Sequence, residues 1–235
     1  MRRTAGGVRF RDRAAAGRAL AARLVAWRGV PGAVVLGLPR GGVVPAAEIA
    51  LDLGLPLDVL ISRKLRSPYN PELAIGALAE GGEIYVVASN RDATGATDDW
   101  LASEKAAQQA EIDKRRLLFR DGRPLDLPAR ATVILVDDGV ATGSTVVAAI
   151  HALRRQGAVR IVLATPVAPA DTAARLGALV DELVVLDTPE AFRSVGEFYE
   201  DFEQVSDDEV LALLENARHR QAAGAAPGPG NERWR

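Results

Sequence analysis

A chain of 235 residues, 48% hydrophobic and 26% charged, carries enough apolar material for one sizeable α/β core. A formal net charge of −2 gives no electrostatic reason to expect nucleic acid or an acidic membrane surface as partner, and the absence of cysteine excludes disulfides and thiolate metal ligands. No apolar run reaches membrane-spanning length and the amino terminus has no apolar leader core, so a soluble, cytoplasmic protein is expected.

The first thirteen residues hold five arginines: Arg2, Arg3, Arg9, Arg11 and Arg13. They read as the solvated flank of an amphipathic helix over about 11–27, whose Leu20, Leu24 and Trp27 share a face by i, i+4, i+7 spacing, or as a phosphate-binding arm. Residues 33–38 are a buried strand running into Pro39-Arg40-Gly41-Gly42, and 43–53 a helix closed by Gly54. The glycine pair permits backbone conformations and close approaches that a side chain would block. Residues 57–61 are a second short buried strand ending in Ser62-Arg63-Lys64, a cation pair suited to a polyanion or to solvent. Segments 74–78 and 84–87, around Glu80-Gly81-Gly82-Glu83, read as a β-hairpin. Residues 88–100 are small and polar and are expected to be a mobile loop. The charged run 101–120 is a helix with Glu111 and Arg115 at i, i+4.

The chain is organised around residues 133–145. Val133 to Val136 are four branched apolar residues, as in a parallel strand buried on both faces. Asp137 and Asp138 stand at its carboxyl end, followed by a turn with Gly139 and Gly143 and the hydroxyls of Thr142, Ser144 and Thr145, and then a helix. A glycine-containing turn feeding a helix amino terminus aims unpaired N–H groups at one spot, which suits a phosphate. Two adjacent carboxylates at a strand end suit two vicinal hydroxyls. Phosphate donors beside diol acceptors make a ribose 5-phosphate site. No Walker A loop and no GxGxxG fingerprint occurs.

Beyond the motif, a helix to about 156 ends at Gly157, strands are expected over 159–167 and 183–186, and a short helix over 171–177. His151 and His219 are separated and read as structural or surface residues. Segment 187–202 places Phe192, Phe198, Tyr199 and Phe202 beyond the last strand, where they could stack on a base, underlie a cap over the site or form a dimer contact. Ser206 and Glu209 are spaced as a capping box. Residues 222–235 are rich in Ala, Pro and Gly and are expected to be disordered. Strands alternating with helices imply an α/β fold, a doubly wound and mostly parallel sheet of about five strands.

Residues 133–145 resemble the PRPP-binding motif of the type I phosphoribosyltransferases, and the chain looks closest to the bacterial predicted phosphoribosyltransferases of undefined acceptor. The resemblance implies one domain over 1–221, with a core at about 30–187 and a small hood from the amino-terminal segment and about 188–215. It implies transfer of a 5-phosphoribosyl group between PRPP and a nitrogenous base or amine, with pyrophosphate release, in nucleotide metabolism. Asp137 and Asp138 would orient the ribose. Ala141, Thr142, Gly143, Ser144 and Thr145 would hold the 5-phosphate. Arg40, Gly41 and Gly42 would receive pyrophosphate, with Arg63 and Lys64 stabilising its charge. Phe192, Val195, Phe198 and Tyr199 would belong to the base site or hood. Mg²⁺ would be held mainly through PRPP rather than by the protein, and Arg91, Arg115 and Arg116 are candidates for reaching pyrophosphate on loop closure. A homodimer is expected, and neither DNA nor membrane. Enzymes of this family acting on 6-oxopurines carry Asp where this chain has Ala141, which disfavours a 6-oxopurine acceptor. The alternative is a non-catalytic regulator that senses PRPP or a nucleotide on the same fold.

Overall fold

A computed structural model describes residues 2–4, 7–70 and 73–225. In chain order, β1 (Arg2–Thr4) and β2 (Gly7–Arg9) form an antiparallel ribbon ahead of α1 (Arg13–Ala21). Then come β3 (Ala33–Gly37), α2 (Val43–Leu53), β4 (Leu57–Val59), β5 (Ser62–Arg66), β6 (Ala74–Ala79) and β7 (Ile84–Val86). Helices α3 (Ala88–Thr94) and α4 (Asp98–Arg120) lead to β8 (Thr132–Val136). The chain continues through α5 (Ser144–Arg155), β9 (Arg160–Val167), α6 (Ala170–Gly177), β10 (Glu182–Asp187) and α7 (Asp207–Ala225).

The five-stranded sheet has the order β10-β9-β8-β3-β4, and every pair in it is parallel. Alternation along the strands explains why both faces are covered. Val35, Ile134, Val136 and Val162 point into a core shared with α1, α2, α4 and α7. Val34, Leu36, Val133, Leu135 and Leu163 point into a second core under α5 and α6. The strand order reverses between β3 and β8, which opens a crevice at their carboxyl ends. Helices α1 and α2 cross closely because Gly17 has no side chain: a Cβ there would lie 2.6 Å from Pro45 Cα.

The expected elements hold over most of the chain, with four corrections. The helix expected over 11–27 is α1 followed by a separate 3-10 turn at Val25–Trp27; Leu20 and Leu24 are buried and Trp27 partly so. The strand expected over 57–61 stops at Val59, and Ser62-Arg63-Lys64 belongs to β5, the edge of a separate antiparallel sheet of order β5-β6-β7. That sheet lies on α5 through Ala77, Ala79, Ala148 and Ala152, small residues that allow a close approach. Residues 88–100, expected as a loop, fold as α3, a left-handed Gly95 and the first turn of α4, where Thr97 caps Trp100 N at 3.2 Å. The capping box forms as expected: Ser206 N donates to Glu209 Oε2 (2.7 Å) and Glu209 N to Ser206 Oγ (3.1 Å). Of the tail expected to be disordered, 222–225 continue α7 and 226–235 lie outside the described residues.

Candidate functional site

Asp137 and Asp138 leave the sheet at the point of strand reversal. Leu38 N donates to Val136 O (2.9 Å), which brings the turn after β3 beside the end of β8. The space there is tight. A Cβ on Gly41 would overlap Asp138 Oδ2, and one on Gly42 would lie 2.7 Å from both Leu38 O and Val136 O. Glycine at these two positions is therefore a packing requirement, and the Pro39–Arg40 peptide between them and β3 is cis. The backbone of the Arg40-Gly41-Gly42 turn lies directly against the acidic pair.

The segment 141–145 wraps the amino terminus of α5, with Gly143 at its cap at φ +73°. Helix α6 engages two carbonyls of this loop: Thr172 Oγ1 donates to Ala141 O (2.9 Å) and Arg175 Nη2 to Thr142 O (2.6 Å). The first-turn amides of α5 have no acceptor within their own helix, so the loop can offer N–H groups and the positive end of the dipole to an anion. A cleft of about 750 Å³ opens on it, lined among others by Ala141, Thr142, Ser144, Asp171, Arg175 and Phe192.

Burial raises the pKa of Asp137 well above the ordinary carboxylate range, and the neighbouring Asp138 adds to this; Lys64 is near enough to oppose it. Burial also raises Asp138, against an ion pair with Arg13, whose Nε lies 2.6 Å from Asp138 Oδ2. The pair of carboxylates thus resists carrying two charges unless a ligand or cation compensates them. Tyr199 supports the pair from behind by donating from Oη to Asp138 O (2.5 Å), and burial pushes its phenol pKa up.

Strand alternation separates the expected cation pair. Lys64 is exposed and its charge reaches Asp137. Arg63 is half-buried, donates from Nε to Gln108 Oε1 (3.2 Å), and has its pKa lowered by burial and then by Arg115, with smaller effects of Arg66 and Arg40. Arg115 therefore joins a cationic group with Arg40 and Arg63. Asp207 at the start of α7 stands 3.9 Å from Arg40 and 3.8 Å from Arg115. Arg91 and Arg116 are instead occupied locally, by Asp98 at 2.6 Å and Asp113 at 3.1 Å.

The aromatic segment divides between the alternatives left open for it. Phe198 and Tyr199 are buried and offer no open face to a ring, and the half-buried Val195 packs where a Cβ on Gly139 would overlap it. Phe192, stacked on Phe198 at 5.4 Å, alone of the four expected residues lines the cleft. The sequence reading missed Arg13, taken as a solvated flank or phosphate arm; its pairing spans 125 positions of the chain and left no local signal.

An open parallel sheet with a glycine turn and a helix amino terminus beside two carboxylates, at the strand-order reversal, defines an α/β protein of the open, doubly wound class with its candidate site at the switch point. The model of the phosphoribosyl transferase domain matches residues 12–202, and the chain belongs to that family. It is 47% identical over 220 residues to two Mycobacterium tuberculosis proteins, from two strains of that organism, each named "Putative phosphoribosyl transferase". The match takes in 92% of this chain, and the chain spans about half the length (48%) of those relatives. The crystal structure of TT1426 from Thermus thermophilus is 43% identical, superimposes with a TM-score of 0.74, and is matched over 89% of this chain and 99% of its own. Among the described residues no helix is long and apolar enough to cross a membrane.

Proposed function

We propose that this chain is a phosphoribosyltransferase that joins the 5-phosphoribosyl group of PRPP to a nitrogenous base or amine and releases pyrophosphate. The observation that carries the reading is the meeting of the Asp137–Asp138 pair, the loop 141–145 and the Gly41–Gly42 backbone at the switch point of the sheet. In this reading the amides of the loop, with Thr142, Ser144 and Thr145, hold the 5-phosphate. Asp137 and Asp138 accept hydrogen bonds from the ribose hydroxyls. Arg40, Lys64 and the Arg63–Arg115 group face the pyrophosphate and stabilise the charge that develops on it as it leaves. The acceptor nitrogen forms a bond to C1 as the C1–oxygen bond to pyrophosphate breaks, with inversion, and the acceptor's proton goes to solvent. Ala141 disfavours a 6-oxopurine acceptor.

The donor set suits Mg²⁺ carried in by the substrate. Of the two carboxylates beside the loop, Asp138 is already engaged by Arg13, so a cation there would draw chiefly on ligands the substrate brings. Magnesium keeps water and substrate phosphate oxygens as ligands and needs few from the protein. When bound it would neutralise the pyrophosphate charge.

The test is calorimetric titration with PRPP and Mg²⁺, followed by a panel of bases and amines with pyrophosphate release monitored. Binding with release for one acceptor is the expected result. Binding without release for any acceptor would favour a sensor on the same fold, and failure to bind PRPP would end the proposal. Replacing both Asp137 and Asp138 by Asn is expected to abolish PRPP binding while leaving the fold intact.

A further inference from the structure

Arg13 is held more firmly than a surface arginine. Its side chain is 11% exposed, its Nη1 donates to Glu203 O (2.7 Å), and its guanidinium lies 3.8 Å from the centre of the Phe202 ring. Its position along α1 is fixed by Asp12, which caps the helix by accepting from Ala15 N (2.6 Å). From that frame Nε reaches Asp138 Oδ2 at 2.6 Å. Gly41 crowds the same oxygen: a Cβ there would overlap Asp138 Oδ2 and lie 3.1 Å from Arg13 Nε, and the Asp138 carbonyl is tied to Tyr199.

We infer that Arg13 is a positioning residue for ligand binding, holding the Asp138 carboxylate in one orientation as a fixed anionic acceptor for a ribose hydroxyl. The inference rests on the phosphoribosyl reading of the site. The physical reason is that a carboxylate beside another carboxylate, largely out of water, takes up a proton or rotates away unless a cation is fixed against it. Burial raises Asp138 and Arg13 is the leading influence in the other direction. The other groups around the pair are Asp137 itself, Lys64 from β5, the Tyr199 phenol on the Asp138 carbonyl, and Asp12, whose charge acts on Tyr199. Of these, Lys64 acts at Asp137, and Asp12 and Tyr199 supply no positive charge. Arg13 also links distant parts of the chain, because Glu203 and Phe202 belong to the segment after β10. Ordering of that segment and of the diol acceptor is therefore coupled through one guanidinium.

The experiment is calorimetric titration of the full chain with PRPP and Mg²⁺ between about pH 5 and pH 8, for the unaltered protein, Arg13→Gln, Arg13→Lys and Phe202→Leu. Near-UV circular dichroism verifies the fold of each. Loss of the fixed cation raises the Asp138 pKa further, so Arg13→Gln should lose affinity towards acid by about tenfold more than the unaltered protein, a one-unit displacement of the acid limb. Arg13→Lys should restore most of the profile, and Phe202→Leu, which frees the guanidinium, should move the acid limb in the same direction by less. A profile for Arg13→Gln that runs parallel to that of the unaltered protein overturns the inference, since a merely structural arginine would lower affinity without moving the pH dependence. Should Arg13→Gln not fold, Phe202→Leu decides, and an unmoved acid limb there overturns the inference. Absence of PRPP binding by the unaltered protein at every pH overturns the phosphoribosyl reading itself, a separate and recognisable outcome.

Discussion

At Gly41 a single missing Cβ decides whether the acidic pair can stand where it does. In Gly41→Ala the new methyl would overlap Asp138 Oδ2, and Arg13 Nε lies 3.1 Å from the same point, so the carboxylate has to rotate off its partner. A hydrogen bond to a charged group is worth about 1.5–3 kcal/mol, so PRPP affinity should fall by about ten- to a hundredfold with the circular dichroism spectrum unchanged. Calorimetry reads the change directly, and retained affinity would remove Asp138 from the binding scheme. Asp137 gives a prediction of opposite sign for stability. Its folded pKa stands above the unfolded value of about 3.9, so the folded chain binds the proton more tightly. Stability then falls as pH rises from the unfolded value through the folded one, and the full penalty applies above it. Asp137→Asn removes this penalty: the ligand-free variant should melt higher than the unaltered protein at pH 7, by about 2–4 °C for each kcal/mol relieved, with the gain vanishing near pH 4. A gain that persists undiminished at pH 4 would have another cause. Asp137 and Asp138 were legible in the sequence because strand, carboxylates, glycine and hydroxyls follow one another within the thirteen positions 133–145. Arg13 was not, because nothing in an arginine-rich amino terminus marks which arginine meets a carboxylate 125 residues away.

Whole elements were legible wherever one apolar period persisted. The buried parallel strands and helices α2 and α5 come from long apolar runs with glycine stops, and Gly54 ends α2 in the left-handed conformation its sequence announces. Strand β5 was not, since Leu60 and Ile61 join two sheets without a turn residue between them, and the apolar run gives no sign of the change of partner. That error had a functional cost, because placing Arg63 and Lys64 on a strand sends them to opposite sides. Lys64→Ala should therefore weaken pyrophosphate binding by about tenfold while leaving ribose 5-phosphate within about threefold, and Arg63→Ala should do less. Equal losses of the two ligands in Lys64→Ala would count against its assignment to the pyrophosphate. Helix α4 carries a second ionic element away from the rim. Arg120, at its carboxyl end, pairs with Glu80 beyond β6, and the two side chains are 4% and 5% exposed. Removing one partner of such a pair strands a buried charge, so Glu80→Ala should lose about 3–5 kcal/mol in urea unfolding. A loss below about 1 kcal/mol would mean that water reaches the guanidinium.

The molecule as a whole closes its site with pieces from both ends of the described chain. Phe10 N donates to Phe198 O (2.8 Å), and Glu200 N and Asp201 N donate back to Phe10 O (2.8 Å) and Arg11 O (2.9 Å). Phe10, 1% exposed, packs with Ala16, Val167, Phe198 and Tyr199 in a small core of its own, apart from the two that flank the sheet. The resemblance implied a hood built from these two segments. Their contact carries Tyr199 to the Asp138 carbonyl and Arg13 to its carboxylate, so this third core is mechanically joined to the acidic pair. Two buried phenylalanines separate the consequences. Phe119, also 1% exposed, lies in the core shared with α4 and α7 and makes no contact with this cluster. Phe10→Ala and Phe119→Ala should each cost about 3–5 kcal/mol in chemical unfolding, the usual range for emptying an aromatic site. Measured on protein that is still folded, however, they should part: Phe10→Ala should weaken PRPP as well, because Tyr199 and Arg13 lose their backing, whereas Phe119→Ala should leave PRPP affinity within about threefold. Equal affinity losses in the two variants would mean that binding follows global stability. Only a loss confined to Phe10→Ala would tie the small third core to the function of the switch-point site.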